Sequence, residues 1–306
     1  MKKAAVGLAA LAGILWGILG LFVRTLNAAG LEAMQIVELR ACVTAAVLLA
    51  ALLIARRDLL KIRIRDLWCF LGTGICSIVL FNACYFRTVH DTSLSVAAVL
   101  LYTAPVFVMV LSAILFHEKI TSIKIMAIIM TVAGCVLVTG VWRDAGGISG
   151  MNLLIGLGAG LGYALYSIFG RFALERGYST VTVTFYTFLV AALFSMLLEN
   201  PVMIFGTAFS GPGLGAVSIS LGVLCTIAPF LSYTIALQYI ENSRASVIAS
   251  VEPVTATILG AVVYGEKLTV SGVLGIAVVI GALVLVNITD GKALSGKTQD
   301  SSAEQA

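Results

Sequence analysis

This sequence predicts an all-α integral membrane protein with ten transmembrane helices, arranged as two inverted-topology repeats of five helices each. Three observations carry that expectation. First, the 306 residues are 60% hydrophobic and only 11% charged, where a soluble domain carries about 25% charged residues. So few polar groups cannot cover a surface, and lipid must supply most of the solvent. Second, the apolar residues gather into ten stretches of roughly 20 residues, the length that crosses a bilayer as a helix. Third, the chain repeats itself, and a repeat is read before anything else because it sets the whole architecture.

The repeat is clearest late in each half. Ser95 to Thr121 reads SVAAVLLYTAPVFVMVLSAILFHEKIT, and Ser243 to Thr269 reads SRASVIASVEPVTATILGAVVYGEKLT, so the shift is 148 residues and ten of 27 positions are identical. Pro105 matches Pro253, Val106 matches Val254, Glu118-Lys119 matches Glu266-Lys267, and Thr121 matches Thr269. The beginnings of the halves align too. Trp16 to Arg24 (WGILGLFVR) falls on Tyr163 to Arg171 (YALYSIFGR) at a shift of 147.

The expected spans are 4–23, 33–55, 67–87, 94–116, 121–141, 150–170, 180–198, 214–237, 245–264 and 269–288. The run after Met1-Lys2-Lys3 is too long for a typical leader. It also has a twin in the second half, so it reads as the first span. Most connections are short, which favours antiparallel neighbours and leaves no soluble domain. The repeats are placed at 3–142 and 150–289, and the polar stretch 290–306 reads as a disordered cytoplasmic tail.

Basic residues give the orientation. With the N-terminus in the cytoplasm, the inner side collects Lys2, Lys3, Arg56, Arg57, Lys61, Arg63, Arg65, Lys119, Lys124, Arg171, Arg176, Arg244, Lys292 and Lys297. The outer side holds only Arg24, Arg87, Arg143 and Lys267, and Arg40 lies within a span. Both termini are therefore expected in the cytoplasm. Five helices per repeat is an odd number, so the second half crosses with opposite polarity to the first. Secondary transporters use this plan, because two such halves can rock about a site near the midplane.

Doubled motifs carry a family resemblance. Ala104-Pro105-Val106 and Glu252-Pro253-Val254, the endings His117-Glu118-Lys119-Ile120-Thr121 and Gly265-Glu266-Lys267-Leu268-Thr269, the aromatic pair Trp16 and Tyr163, and the pair Tyr85 and Tyr233 stand in the same order in both halves. In this the chain resembles the drug/metabolite transporter superfamily, in its EamA-type branch of paired five-helix units, over roughly residues 3–288. The resemblance implies a carrier of small metabolites in the cytoplasmic membrane.

Glu252 is the leading candidate site residue. A charge inside a bilayer is rare and usually faces a cavity. Pro253 removes a backbone hydrogen bond and disfavours helical geometry at the residue before it, so carbonyls should open beside the carboxylate. The competing reading is a structural Glu bonded to a neighbouring helix. Glu252 aligns with Ala104, so the repeated scaffold does not itself demand the charge. Arg40 is second. It either binds an anionic group, pairs with Glu252, or snorkels to the surface. Glu38 lies about 200° round the same helix from Arg40 and ranks lower.

Uncharged candidates are Trp16, Asn82, Tyr85, Tyr102, Tyr163, Tyr166 and Ser250. Each aromatic has packing or the interface belt as its alternative, and Asn82 has interhelical hydrogen bonding. Glu118 and Glu266 close helices at opposite faces and read as termination or gate contacts. Gly13 with Gly17, and Gly158 with Gly162, permit close helix approach.

The six cysteines lie in apolar runs without CxxC spacing and read as small buried hydrophobes, not as a disulfide framework or metal site. His90 and His117 fall at helix ends and are given no catalytic part. Nothing resembles a phosphate-binding glycine loop, so no cofactor is expected.

The resulting expectation is a secondary transporter, not an enzyme, that exports small organic metabolites such as amino acids by alternating access. Its partners would be the solute and the lipid bilayer, with no nucleic acid, and a proton or other ion would be coupled through Glu252. Spans without lysine and with one deep arginine disfavour phosphate esters. A non-transporting scaffold or receptor is the alternative, followed by an intramembrane enzyme.

Overall fold

The computed structural model describes the backbone of residues 1–141 and 148–303 and the side chains of 1–141 and 148–286. Arg143, Lys292 and Lys297 lie outside the described side chains. The helices follow in order: α1 (Lys2–Ala28), α2 (Ala33–Ala55), α3 (Leu67–Leu71), α4 (Leu80–Asp91), α5 (Leu94–Leu101), α6 (Ala104–Phe116), α7 (Ser122–Thr139), α8 (Gly150–Glu175), α9 (Thr180–Ser195), α10 (Pro201–Ala208), α11 (Pro212–Gly222), α12 (Ala228–Leu237), α13 (Asn242–Ala249), α14 (Glu252–Tyr264) and α15 (Val270–Ala303). Among the described residues no strand occurs. The far end of α15 enters the segment 290–306 that was expected to be a disordered tail. Its side chains, and residues 304–306 altogether, lie outside the described residues.

Among the described residues, eight helical segments are long and apolar enough to cross a membrane, and two further apolar helices, Thr180–Ser195 and Val270–Val286, are shorter. Outward faces bear Ile114 at 66%, Leu154 at 67% and Val262 at 77% exposure. Water would not tolerate such a surface, whereas lipid does.

Four long segments are built of pieces, and the repeat explains the pairing. Ile64–Asp91 holds a π-helical stretch at Gly72–Val79, and its counterpart Pro212–Leu237 holds one at Val223–Ile227. In the second, Pro229 has no N–H for Cys225 O, four residues back, and the Thr226 hydroxyl donates to Leu221 O, five residues back, at 3.1 Å. In the first, Gly74 lets Val190 and Thr187 of α9 approach the backbone. Neither π-stretch was expected from the apolar pattern, nor was the short α10.

The other broken pair is α5–α6 and α13–α14, interrupted at Tyr102-Thr103 and at Ser250-Val251, positions 148 apart. Here the structure corrects one expectation. Glu252, before Pro253, is the first residue of α14 and not the distorted one. The disturbance sits earlier, at Ser250 (φ −67°, ψ 9°) and Val251 (φ −66°, ψ −15°). A proline ring collides with the carbonyl four residues before it, which is Ala249 O, so the helix ends there and restarts with Pro253 in its first turn.

The first helix of each half packs on the third and fourth segments of the other half. α1 lies against α12, α13 and α14, and α8 lies against α4, α5 and α6. Small residues permit this. A Cβ on Gly13 would meet Ala249 O, and one on Gly17 would stand 2.6 Å from the Thr255 Cβ. In the other half a Cβ on Gly160 would stand 2.8 Å from Leu100 O. The glycines facing the breaks are thus Gly13 and Gly17 in α1 and Gly160 in α8. Of the expected pair in α8, Gly158 faces Cys84 and Gly162 faces Phe81.

Candidate functional site

Glu252 stands where the α13–α14 break meets α1 and α8. The Tyr163 hydroxyl on α8 donates to its Oε2 at 3.2 Å. Glu252, taken as a whole residue, is partly exposed deep in the bundle. The hydroxyls of Tyr85 and Tyr102 lie within electrostatic range of it, and both tyrosines are themselves partly exposed. Tyr102 closes α5 at the break opposite, so both interrupted segments present their broken turns to one place.

An aromatic wall backs this group. Trp16 is 8% exposed and sets its ring against Tyr163 at 6.0 Å, Phe230 at 5.2 Å and Tyr233 at 5.5 Å, two of the contacts edge-on. Phe81 joins Tyr163 at 5.6 Å and Tyr85 at 6.0 Å. Edge-to-face pairs of this kind hold rings in fixed orientation. Phe81 and Phe230 were not singled out from the sequence, since phenylalanine in an apolar run carries no local signal.

Arg40 is 5% exposed, so it does not snorkel, and its Nε has no hydrogen-bond partner. It lies within electrostatic range of Glu252, and no salt bridge joins the two among the described residues. Glu38, ranked low from sequence, is fully buried with neither carboxylate oxygen bonded. Nothing in the structure explains why a carboxylate stands there.

Three expected residues turn away from the group. The Tyr166 hydroxyl is 2.6 Å from Thr234 Oγ1 and its ring packs on Phe230. The Asn82 Nδ2 donates to Ile78 O in its own segment at 2.7 Å, so the amide serves the distorted backbone and not a neighbouring helix. Ser250 donates to Ser246 O at 3.1 Å, and Pro253 is buried in the first turn of α14. What remains is one carboxylate, three tyrosine hydroxyls and a tryptophan, with a deep arginine nearby. This set can hold a small polar solute and exchange a proton with it. Among the described residues no cluster of three or more His, Cys, Asp or Glu could hold a metal.

Comparison with known proteins agrees with this architecture. A solved crystal structure superposes with a TM-score of 0.78 at 18% identity, over 96% of this chain and 99% of the other, and shows the same fold. An uncharacterized transporter of Archaeoglobus fulgidus is 27% identical over 215 residues, covering 69% of this chain and 75% of that one. The threonine/homoserine exporter RhtA of Salmonella typhimurium is 25% identical over 207 residues, covering 66% and 65%. The EamA-like transporter family matches twice, at residues 3–140 and 150–288. Two matches in tandem, over nearly all of the chain, place this protein in the EamA-like transporter family.

Proposed function

We propose that the protein is a secondary transporter of ten spans in the cytoplasmic membrane, with both termini in the cytoplasm, that exports small amino-acid-like metabolites by alternating access. The carrying observation is the partly exposed Glu252, bonded to Tyr163 where two interrupted helices meet between the halves. Interrupted helices at a repeat interface are where carriers of this plan bind their solutes. The likeness to a threonine/homoserine exporter supports both the solute class and the direction. The spans' single deep cation, Arg40, supports neutral, zwitterionic or cationic solutes over phosphate esters.

Glu252 is assigned the coupling role. It would release a proton to take up solute and regain one to release it, with Tyr163 holding the carboxylate in place. The test is flux in proteoliposomes across a range of pH. Glu252→Gln should leave little flux and flatten its pH dependence. Full flux with an unaltered pH profile would overturn the coupling assignment.

A further inference from the structure

The two ends of the bundle differ, and the repeat shows what each end lacks. At one end, Glu118 reaches across to the start of α13. Its Oε1 accepts from Asn242 N at 2.7 Å, and its Oε2 accepts from Ser243 N at 3.3 Å and Ser243 Oγ at 2.6 Å. A carboxylate on the first amides of a helix satisfies orphan donors and meets the positive end of the dipole. All eight residues of α13 are buried, and α6 packs on it. Arg171 donates to Leu237 O at 2.7 Å at this same end.

Among the described residues, the counterparts of these carboxylate and guanidinium contacts are absent at the other end. Shifted by 148, Glu118 becomes Glu266, Ser243 becomes Ser95 and Leu237 becomes Val89, and shifted by 147, Arg171 becomes Arg24. Glu266 is bonded to Arg24 at 2.7 Å instead of to the start of α5. Leu94 is 62% exposed where its counterpart Asn242 is fully buried. Only half of α5 is buried, and α14 has no packing on it comparable to that of α6 on α13.

We infer that Glu118 and Glu266 are the two gate residues of the carrier, each capping the opposite half's interrupted helix in one state and pairing with an arginine in the other. The inference rests on the carrier reading above. On this inference the structure is the state in which the Glu118 end is latched on α13 and the Glu266 end is unlatched from α5. In the other state Glu266 leaves Arg24 and caps the amides of Leu94 and Ser95, and Arg24 donates to Val89 O. Glu118, released from Ser243, then pairs with Arg171, which lines the same cleft. Lys124 contacts Glu118 at 3.8 Å and Glu241 at 2.6 Å. Its counterpart is Gly272, so this extra support exists only at the latched end.

Hydrogen–deuterium exchange of the full chain in lipid nanodiscs tests this. Glu118→Ala should speed exchange at 242–249 by about tenfold, the scale of one lost charged hydrogen bond, and slow exchange at 94–101. Adding Glu266→Ala should abolish the slowing. Glu118→Gln and Ser243→Ala, which disturb packing less, should give the same pair of changes in weaker form. Exchange that rises only at 242–249, rises at both segments or changes at neither overturns the gate assignment. Flux is read separately. Coupled exchange without solute flux overturns the carrier reading alone, and flux with uncoupled exchange overturns the gate alone.

Discussion

Tyr163 on α8 and Glu252 on α14 both belong to the second half, and their one hydrogen bond holds the carboxylate against the first helix of its own repeat. Tyr163→Phe removes only the donor, so the fold should survive while the carboxylate loses its orientation. The expected loss is roughly 1–3 kcal/mol, the cost of a hydrogen bond to a charged group, read as a higher KM for flux with the melting temperature little changed. Much of this was legible in the sequence. A glutamate before a proline in an apolar span is conspicuous, and its alignment with Ala104 marks it as an addition to the scaffold. Tyr163 was visible as the counterpart of Trp16. The partners of Asn82 and Tyr166 were not legible, because hydroxyls and amides find whichever carbonyl or hydroxyl the local backbone leaves nearest. The full burial of Glu38 was not legible for a related reason: helical spacing gives a direction round the axis but not what fills it.

At the scale of the element, the interrupted segments depend on what packs against them. Gly13 and Gly17 lie against the backbone and side chains of the α13–α14 break. Gly13→Leu should therefore force α1 away from it, with a loss of about 1–3 kcal/mol from overpacking and a lower melting temperature, while Gly20→Ala, with nothing within 4 Å, should be silent. The ends of α6 and α14 make a second comparison. Gly265 closes α14 at φ 67°, and His117 closes α6 at φ 55°. A left-handed backbone costs an ordinary L-residue about 1–2 kcal/mol. His117→Gly should recover part of that and raise the melting temperature. The doubled endings predicted both stops. The π-stretches escaped because they arise from contacts such as Val190 on Gly74, which no local pattern encodes.

At the scale of the whole molecule, the latched end carries a further tie between halves. Asp66 is buried and accepts from Arg63 at 2.8 Å, Arg176 at 3.2 Å and the Tyr178 hydroxyl at 2.9 Å. It joins the first half's third segment to the α8–α9 connection. The guanidinium of Arg176 also lies over Trp68. Asp66→Asn should weaken this tie by about 1–3 kcal/mol and lower the melting temperature. The asymmetry of the ends was not legible in the doubled motifs, because Glu118 and Glu266 stand in the same sequence context and only the structure shows that one caps α13 and the other pairs with Arg24.

The last described helices of the two halves, α7 and α15, pack directly on each other. A Cβ on Gly134 would stand 3.0 Å from Gly275 O, and one on Gly275 would stand 2.6 Å from Gly134 O. Backbone lies on backbone there, beside the α13–α14 break, where Cys135 and Val279 pack with Val254. The rocking proposed above requires a fulcrum, a line where the moving bodies touch and do not separate, and this crossing has the close backbone contact such a line needs. Spin labels flanking it on α7 and α15 should keep one distance, while labels spanning either end should show two.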